Sequence, residues 1–132
     1  MIGVPPIFEL CAADSGVQAL LNDSASGLRI YPFGQVPQDN PPEPRPYAVW
    51  RRLYGTPENT LSCPPDMDYV GIEVVCVGDP DTCREAHDAI ILAIQSECHV
   101  VGLDDEGRDP DTDDYWVSFT ADWFVSRNAT TT

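Results

Sequence analysis

The sequence predicts an α+β domain: a mainly antiparallel sheet of about five strands, covered on one face by an N-terminal helix and a central helix, in the order α-β-β-β-α-β-β. Two segments carry apolar residues at three- and four-residue spacing, which indicates amphipathic helices, and others alternate apolar and polar residues, which indicates strands. The length of 132 residues fits one domain, and 42% hydrophobic residues can supply its core. We therefore expect residues 1–132 to form a single domain.

The N-terminal helix is predicted from Pro5 to Asn22. Prolines are tolerated in a first helical turn. The apolar positions follow helical spacing at Leu10, Ala13, Val17, Leu20 and Leu21. Asp14-Ser15-Gly16 can divide this segment into two pieces, with Asp14 or Ser15 as the N-cap of the second.

Three strands are predicted next, at residues 28–33, 47–56 and 67–77. The intervening residues 34–46 contain five prolines, so they cannot form a helix or a central strand, because proline removes hydrogen-bond donors from a sheet. This Pro-rich segment is either a plain loop or an extended arm that reaches a neighbouring molecule. Residues 57–66 form a turn-rich connection, and residues 1–4 and 127–132 are expected to be flexible.

The central helix is predicted to follow Asp79 as N-cap and Pro80 as first residue, and to run to about residue 98. Its apolar stripe consists of Cys83, Ala86, His87, Ile90, Ile91, Ile94 and Cys98. Two strands follow, at 99–103 and 115–126, and the second alternates two sets of side chains along its length.

The predicted loop between these two strands, residues 104–114, contains seven acids and one Arg, so six of the 15 net negative charges lie in it. The acids are Asp104, Asp105, Glu106, Asp109, Asp111, Asp113 and Asp114. Their spacing from Asp109 resembles the start of a calcium loop, but an EF-hand needs Gly at the sixth position and Glu at the twelfth, where this chain has Asp114 and Thr120. A solvated hairpin tip, adventitious cation binding, and repulsion or steering of a charged partner stay open as interpretations.

The net charge of −15 arises from 22 acids and seven basic residues, all of which are Arg. This balance argues against a conventional nucleic-acid binder, which needs clustered cations to displace counterions, and against docking on anionic lipid. The N-terminus does not resemble a signal peptide, and no run approaches the roughly 18 apolar residues of a membrane span. We expect a protein that is made and used without crossing a membrane.

The odd number of cysteines, without an export signal, predicts free thiols rather than a disulfide framework; they are Cys11, Cys63, Cys76, Cys83 and Cys98. The sequence places Cys83 four residues before His87, with Cys98-His99 near the helix end, so zinc binding is the alternative to core packing. The tight ligand pairs of structural zinc sites are missing, which favours core packing. Enzyme motifs for phosphate, dinucleotide, serine-hydrolase or zinc-protease chemistry are also missing. We assign no catalytic, metal or cofactor residue and expect no enzymatic activity.

Several loose motifs lie in a fixed order between about residues 5 and 126. They are Leu28-Arg29-Ile30-Tyr31-Pro32, Pro46-Tyr47-Ala48-Val49-Trp50, Gly55-Thr56-Pro57-Glu58-Asn59, Tyr69-Val70-Gly71-Ile72-Glu73-Val74, Cys83-Arg84-Glu85-Ala86, Tyr115-Trp116-Val117-Ser118-Phe119 and Phe124-Val125. In this order and spacing the chain resembles the tail terminator (tail completion) proteins of long-tailed bacteriophages with non-contractile tails, the lambda-type terminator group.

The resemblance implies a structural virion protein, located at the head–tail junction and in the host cytoplasm during assembly. It implies a hexameric ring that caps the tail tube, stops its polymerisation and joins the tail to the head connector. The implied partners are further copies of the chain, the tail tube protein and the connector or neck protein, while DNA passes through without tight binding. The alternatives are another neck or head-completion protein, or a small divalent-cation-binding domain or hydrolase.

Two sets of residues are candidates for such contacts. The acids of residues 104–114 are candidates for a surface that faces the lumen or a partner, because an acidic lining repels phosphates. Subunit or tube contacts are expected from the Pro-rich segment and its neighbourhood, by strand addition or groove docking. These candidates are Pro37, Pro41, Pro42, Arg45, Arg51, Arg52, Glu58 and Asn59.

Overall fold

The computed structural model describes residues 5–23, 27–32, 46–57 and 67–126. The helices are α1 (Ile7–Ala12), α2 (Ser15–Leu21) and α3 (Pro80–Ile94), and the strands are β1 (Asn22–Asp23), β2 (Gly27–Leu28), β3 (Ile30–Pro32), β4 (Tyr47–Pro57), β5 (Met67–Gly78), β6 (His99–Arg108) and β7 (Tyr115–Ser126). Five strands form one sheet in the order β3-β4-β5-β7-β6, in which the β3–β4 pair is parallel and the other pairs are antiparallel. The predicted α+β class and mainly antiparallel sheet are confirmed.

The N-terminal helix is divided at the predicted place. The Asp14 carboxylate accepts a hydrogen bond of 3.0 Å from the Val17 N–H and so caps α2. The buried residues of this helix pair, Ile7, Cys11, Val17 and Leu21, belong to the core. The prediction of two pieces is therefore confirmed.

The single strand predicted at residues 28–33 is wrong. Leu28 pairs within the short β1–β2 ribbon, whereas β3 pairs with β4. Arg29 separates the two and is only 5% exposed. Its guanidinium donates to the carbonyls of Pro46 at 2.9 Å and Leu20 at 3.2 Å. Because a buried charge must be hydrogen-bonded, Arg29 fixes the end of α2 to the start of β4 and interrupts the strand.

The central helix begins as predicted but ends earlier. The Thr82 hydroxyl accepts from the Asp79 N–H at 3.1 Å, and Pro80 occupies the first helical position. The helix ends at Ile94, not at residue 98, because the chain turns there to begin β6 at His99. Cys98 lies in that turn, where its thiol donates to the Ile94 carbonyl at 3.4 Å.

The core lies between the helices and one face of the sheet, which we call the helix face. Its buried side chains alternate along the two central strands: Val70, Ile72, Val74 and Cys76 in β5, and Val117, Phe119, Ala121, Trp123 and Val125 in β7. The intervening side chains form the other side, the open face, on which none of the described helices packs. None of the three described helices combines the length and the apolar composition of a membrane span.

Strand β6 is one edge of the sheet and runs to Arg108, five residues beyond the predicted end. Its pairing with β7 shifts register between Val100 and Gly102 and again between Gly102 and Asp105. The predicted strands at 47–56 and 67–77 correspond closely to β4 and β5, and that at 115–126 to β7.

Several predictions concern residues outside the described ranges. These are the Pro-rich segment before Pro46, the turn after Pro57, both predicted flexible termini, and the candidate contact residues Pro37, Pro41, Pro42, Arg45, Glu58 and Asn59.

Candidate functional site

The acidic segment is mostly strand rather than loop, which corrects the prediction for residues 104–114. Residues 105–108 pair with the start of β7, and only residues 109–114 form the turn between the two strands. Two backbone hydrogen bonds of 2.8 Å close the turn, from Asp113 to Asp109 and from Asp109 to Asp114. Asp113 has a φ of 63°, a left-handed conformation that Asp tolerates better than most residues. The ladder with β7 thus overrides the low strand propensity of a charged segment.

Because side chains alternate along a strand, the acids of β6 lie on different faces of the sheet. Asp105 lies opposite Ser118 on the open face, whereas Glu106 lies opposite Val117 on the helix face. Glu106 is ion-paired with Arg84 at 3.3 Å, and Asp113 is ion-paired with Arg108. Asp111 is exposed at the tip. The seven acids are therefore not one continuous surface.

Three of these acids border a groove on the open face. The groove has a volume of about 480 Å³, and its acidic lining comprises Asp105, Asp109, Asp114 and also Glu73 of β5. The floor of the groove is mainly apolar. It is formed by residues that are neighbours across paired strands of the sheet and includes Tyr47, Val75, Val77 and Trp116. Sequence reasoning found three of the acids but missed the groove, because its residues come from four separate strands and the turn.

A second feature of the open face, at its other end, was also missed. The hydroxyls of Tyr54 and Tyr69 both donate to the carboxylate of Asp122, which is only 6% exposed. The ring of Tyr69 also packs against Phe124, with centroids 5.1 Å apart. We call Tyr54, Tyr69, Asp122 and Phe124 the tyrosine–aspartate cluster.

A β-bulge places Tyr54 in that cluster. The register of β4 against β5 shifts between Arg52 and Tyr54, so that Tyr54 lies opposite Gly71. Gly71 leaves room for the phenol ring, since a Cβ there would lie 2.2 Å from its Cζ. The hydrogen bond to Asp122, with burial and the charge of that carboxylate, raises the pKa of Tyr54 to about 12. A glycine inside a strand was the available sequence signal for this close approach.

Arg51 and Arg52 lie on opposite faces of β4, as strand alternation requires. Arg51 is opposite Glu73 on the open face and forms an ion pair with it at 2.9 Å. Arg52 is opposite Ile72 on the helix face, is exposed, and makes no ion pair with another described residue. Their role in subunit contacts stays a prediction.

The four cysteines in the described ranges, Cys11, Cys76, Cys83 and Cys98, pack in the core or at its margin as free thiols, whereas Cys63 lies outside those ranges. Burial raises the pKa of the Cys11 thiol to about 12 and that of Cys98 to about 11, and it also raises the pKa of Cys76 and Cys83. Such thiols are poor nucleophiles and poor metal ligands at neutral pH.

The two histidines occupy different environments. His87 is buried, with its ring 5.2 Å from that of Phe119 in an edge-on arrangement, and its Nδ1 lies 2.9 Å from an Asp88 oxygen. His99 is exposed at the start of β6. Among the described residues, no three His, Cys, Asp or Glu side chains lie close enough together to hold a metal ion.

The molecule is a small α+β domain, with a core on one face of an open sheet and a polar, partly aromatic surface on the other. The family model of the tail completion protein gp17 matches residues 5–126, which is nearly the whole chain. The chain therefore belongs to this family of bacteriophage tail completion proteins, which are structural components of the virion tail. No curated protein matches the sequence. As a tail completion protein, the chain has other phage tail and head components as its partners.

Proposed function

We propose that this protein is a tail terminator of a phage with a long, non-contractile tail. Copies of the chain form a ring, expected to be hexameric, on the end of the completed tail tube. The ring stops addition of tube subunits and joins the tail to the connector. The match of residues 5–126 to the tail completion family is the observation that carries this proposal.

The sheet suits a subunit that makes contacts on several sides. Strand β6 is an edge strand, and a short regular stretch of an edge strand can accept a single further strand from another chain. Exposed apolar side chains of this strand, Val101 and Leu103, are 47% and 71% exposed. A subunit that must bind the tube, a neighbour and the connector needs several such surfaces.

The net negative charge of the protein suits a ring through which DNA passes. Phosphates are held by clustered cations that displace counterions, whereas a negative surface repels them within about 10 Å at moderate salt. We propose that part of the acidic surface at residues 104–114 faces the lumen or a partner. Because the acids lie on two faces of β6, only those on one side can line a single surface.

A phage in which the gene is interrupted tests the capping role. If the protein terminates the tail, electron micrographs of the mutant lysate will show headless tails longer than the normal length. Tails of normal length that lack heads would contradict termination and indicate a joining role alone. In addition, mass measurement of the purified protein, alone and with tube ends, should detect a ring.

The acidic surface is tested by neutralising six acids to Asn: Asp104, Asp105, Asp109, Asp111, Asp113 and Asp114. We expect impaired virion assembly or DNA passage from a subunit that still folds. The control removes the same number of charges from exposed acids elsewhere: Glu9, Asp79, Asp81, Glu85, Asp88 and Glu97. Normal infectivity of the first variant would refute a role for the acidic surface.

A further inference from the structure

We propose that the open-face groove binds a basic side chain with an aliphatic stem, presented by an extended segment of a different virion protein. The groove is the concavity of about 480 Å³ between the start of β4 and the β6–β7 turn. This inference rests on the proposed function only in naming the kind of partner, and its test does not depend on ring formation.

The floor of the groove has the shape and chemistry to hold an aliphatic stem and a planar cation. Tyr47, Val77 and Trp116 are cross-strand neighbours, and Gly107 lies beyond Trp116 in the same row. The indole lies against Gly107, where a Cβ would come within 2.8 Å of its Cζ2. Valines can pack along the methylenes of an Arg or Lys, and an aromatic ring attracts the cation at its end.

The border of the groove supplies the opposite charge. The Asp105 carboxylate accepts from the Glu106 N–H at 3.2 Å, and the Asp109 carboxylate accepts from the Asp111 N–H at 2.9 Å. In each case the bond engages Oδ1 and fixes the side chain, while the described residues supply no hydrogen-bond donor to Oδ2. These two carboxylates can therefore accept a guanidinium or ammonium group.

The occupant is better supplied by a different protein than by a second copy. Each copy carries a net charge of −15. Docking of a second copy would therefore bring two strongly acidic molecules together, whereas a basic segment of another protein meets no such repulsion. Within the described ranges, Arg29 is buried, and Arg51, Arg84 and Arg108 are ion-paired within the subunit.

The probe is a blocked heptapeptide in which Arg alternates with Val, titrated into the full chain and followed by the amide and indole N–H signals in NMR spectra. The matched peptide has Gln in place of each Arg. We expect the Arg peptide to shift the Trp116 indole signal, with binding that weakens as salt rises, and the Gln peptide to leave it unchanged. Absence of any shift, or equal shifts with both peptides, would overturn the inference.

Two variants with the same charge change localise the binding. Asp105→Asn with Asp109→Asn keeps both backbone hydrogen bonds and should weaken the Arg peptide about fivefold, as expected for two partly exposed ion pairs. Glu85→Gln with Glu97→Gln, on exposed positions outside the groove, should change it less than twofold. Equal weakening in both variants would show attraction to net charge alone and refute a groove.

The remaining outcomes separate this inference from the proposed function. A concentration-dependent shift confined to the Trp116 indole signal among the three Trp residues, without peptide, would place a second copy in the groove and overturn the choice of partner. Rings that form while the Arg peptide fails to bind would refute the groove alone. Peptide binding by a protein that forms no ring on tube ends would refute the terminator role and leave the groove intact.

Discussion

The two faces of the sheet use the same strands for different purposes. On the helix face, alternate residues of β5 and β7 are apolar and almost fully buried, including Phe119 at 0% exposure. On the open face, the residues between them include Ser118, Thr120 and Asp122, which are buried although polar, and Phe124, which is 60% exposed. One face thus defines the core, while the other combines a hydrogen-bonded cluster with a groove.

This difference shows where sequence change should matter for stability and where it should matter for binding. Truncation of a side chain on the buried apolar face lowers the free energy of unfolding, because a cavity remains. A face whose side chains border solvent can relax, so a substitution there costs less unless it breaks a buried hydrogen bond.

The largest contrast is expected from one pair of phenylalanines in β7. Phe119→Ala should lower the free energy of unfolding by about 3–5 kcal/mol, because it leaves a cavity beside His87. Phe124→Ala, five residues along on the open face, should cost about 1 kcal/mol through its contact with Tyr69. Urea denaturation measures both. Equal losses of unfolding free energy would mean that Phe124 is packed as tightly on the open face as Phe119 is on the helix face.

Alkaline pH should destabilise the protein by favouring ionisation of thiols that are buried in the core on the helix face. The folded-state pKa of Cys11 is raised from 9.0 to about 12, so its stabilising contribution is complete below pH 9 and is lost as pH rises from 9 towards 12. Between pH 8 and 10, urea denaturation should show that the free energy of unfolding falls by on the order of 1 kcal/mol through Cys11.

Two variants test which face of the sheet causes this loss of stability at alkaline pH. Cys11→Ala should reduce the pH-dependent loss by the contribution of one thiol. Tyr54→Phe, on the open face, should change it by less than about 0.5 kcal/mol up to pH 10, because the free tyrosine pKa is 10.0 and that of Tyr54 is about 12. A Cys11→Ala variant with the same pH dependence as the natural protein would contradict this assignment.

The tyrosine–aspartate cluster should respond to Gly71→Ala. The new methyl group displaces the Tyr54 ring and breaks its bond to Asp122, which should cost about 1 kcal/mol. The pKa of Tyr54, followed by ultraviolet absorbance, should fall towards 10. In a Tyr54→Ala background, Gly71→Ala should cost much less, because no ring remains to be displaced. An equal cost in both backgrounds would mean that Gly71 acts independently of Tyr54.

The smallest effect is expected at the β6–β7 turn. Arg108→Gln removes the ion pair with Asp113, whose side chains are 49% and 73% exposed. The cost should be under about 0.5 kcal/mol and should disappear in 1 M salt. A larger loss of stability that does not depend on salt would show that this ion pair holds the turn in its conformation.

Periodicity predicted most of the elements, because β5, β7 and α3 keep regular apolar spacing over ten or more residues. It failed where a contact between distant segments decides the structure. Arg29 interrupts the predicted strand because carbonyls from α2 and the start of β4 surround it. Residues 105–108 are strand because β7 offers them a partner, although their own propensity favours a loop.

Apart from the signal of Gly71, the open-face features could not be predicted from the sequence for a related reason. The register shift before Tyr54 reverses which side chains of β4 face the open side, and no residue type in that stretch specifies it. The groove needs β6 to continue past its predicted end, so that Asp105 faces Ser118. Acid content was evident from the sequence, but the distribution of these acids between two faces required the register.

The two register shifts in β6 bear on solubility. A regular edge strand presents an unbroken row of donors and acceptors, onto which identical chains can stack without limit. In β6 that row is interrupted twice, and an acidic stretch follows the second interruption. Concentrated solutions of the protein should therefore stay clear of fibrous aggregates, even though apolar side chains are exposed along the same strand.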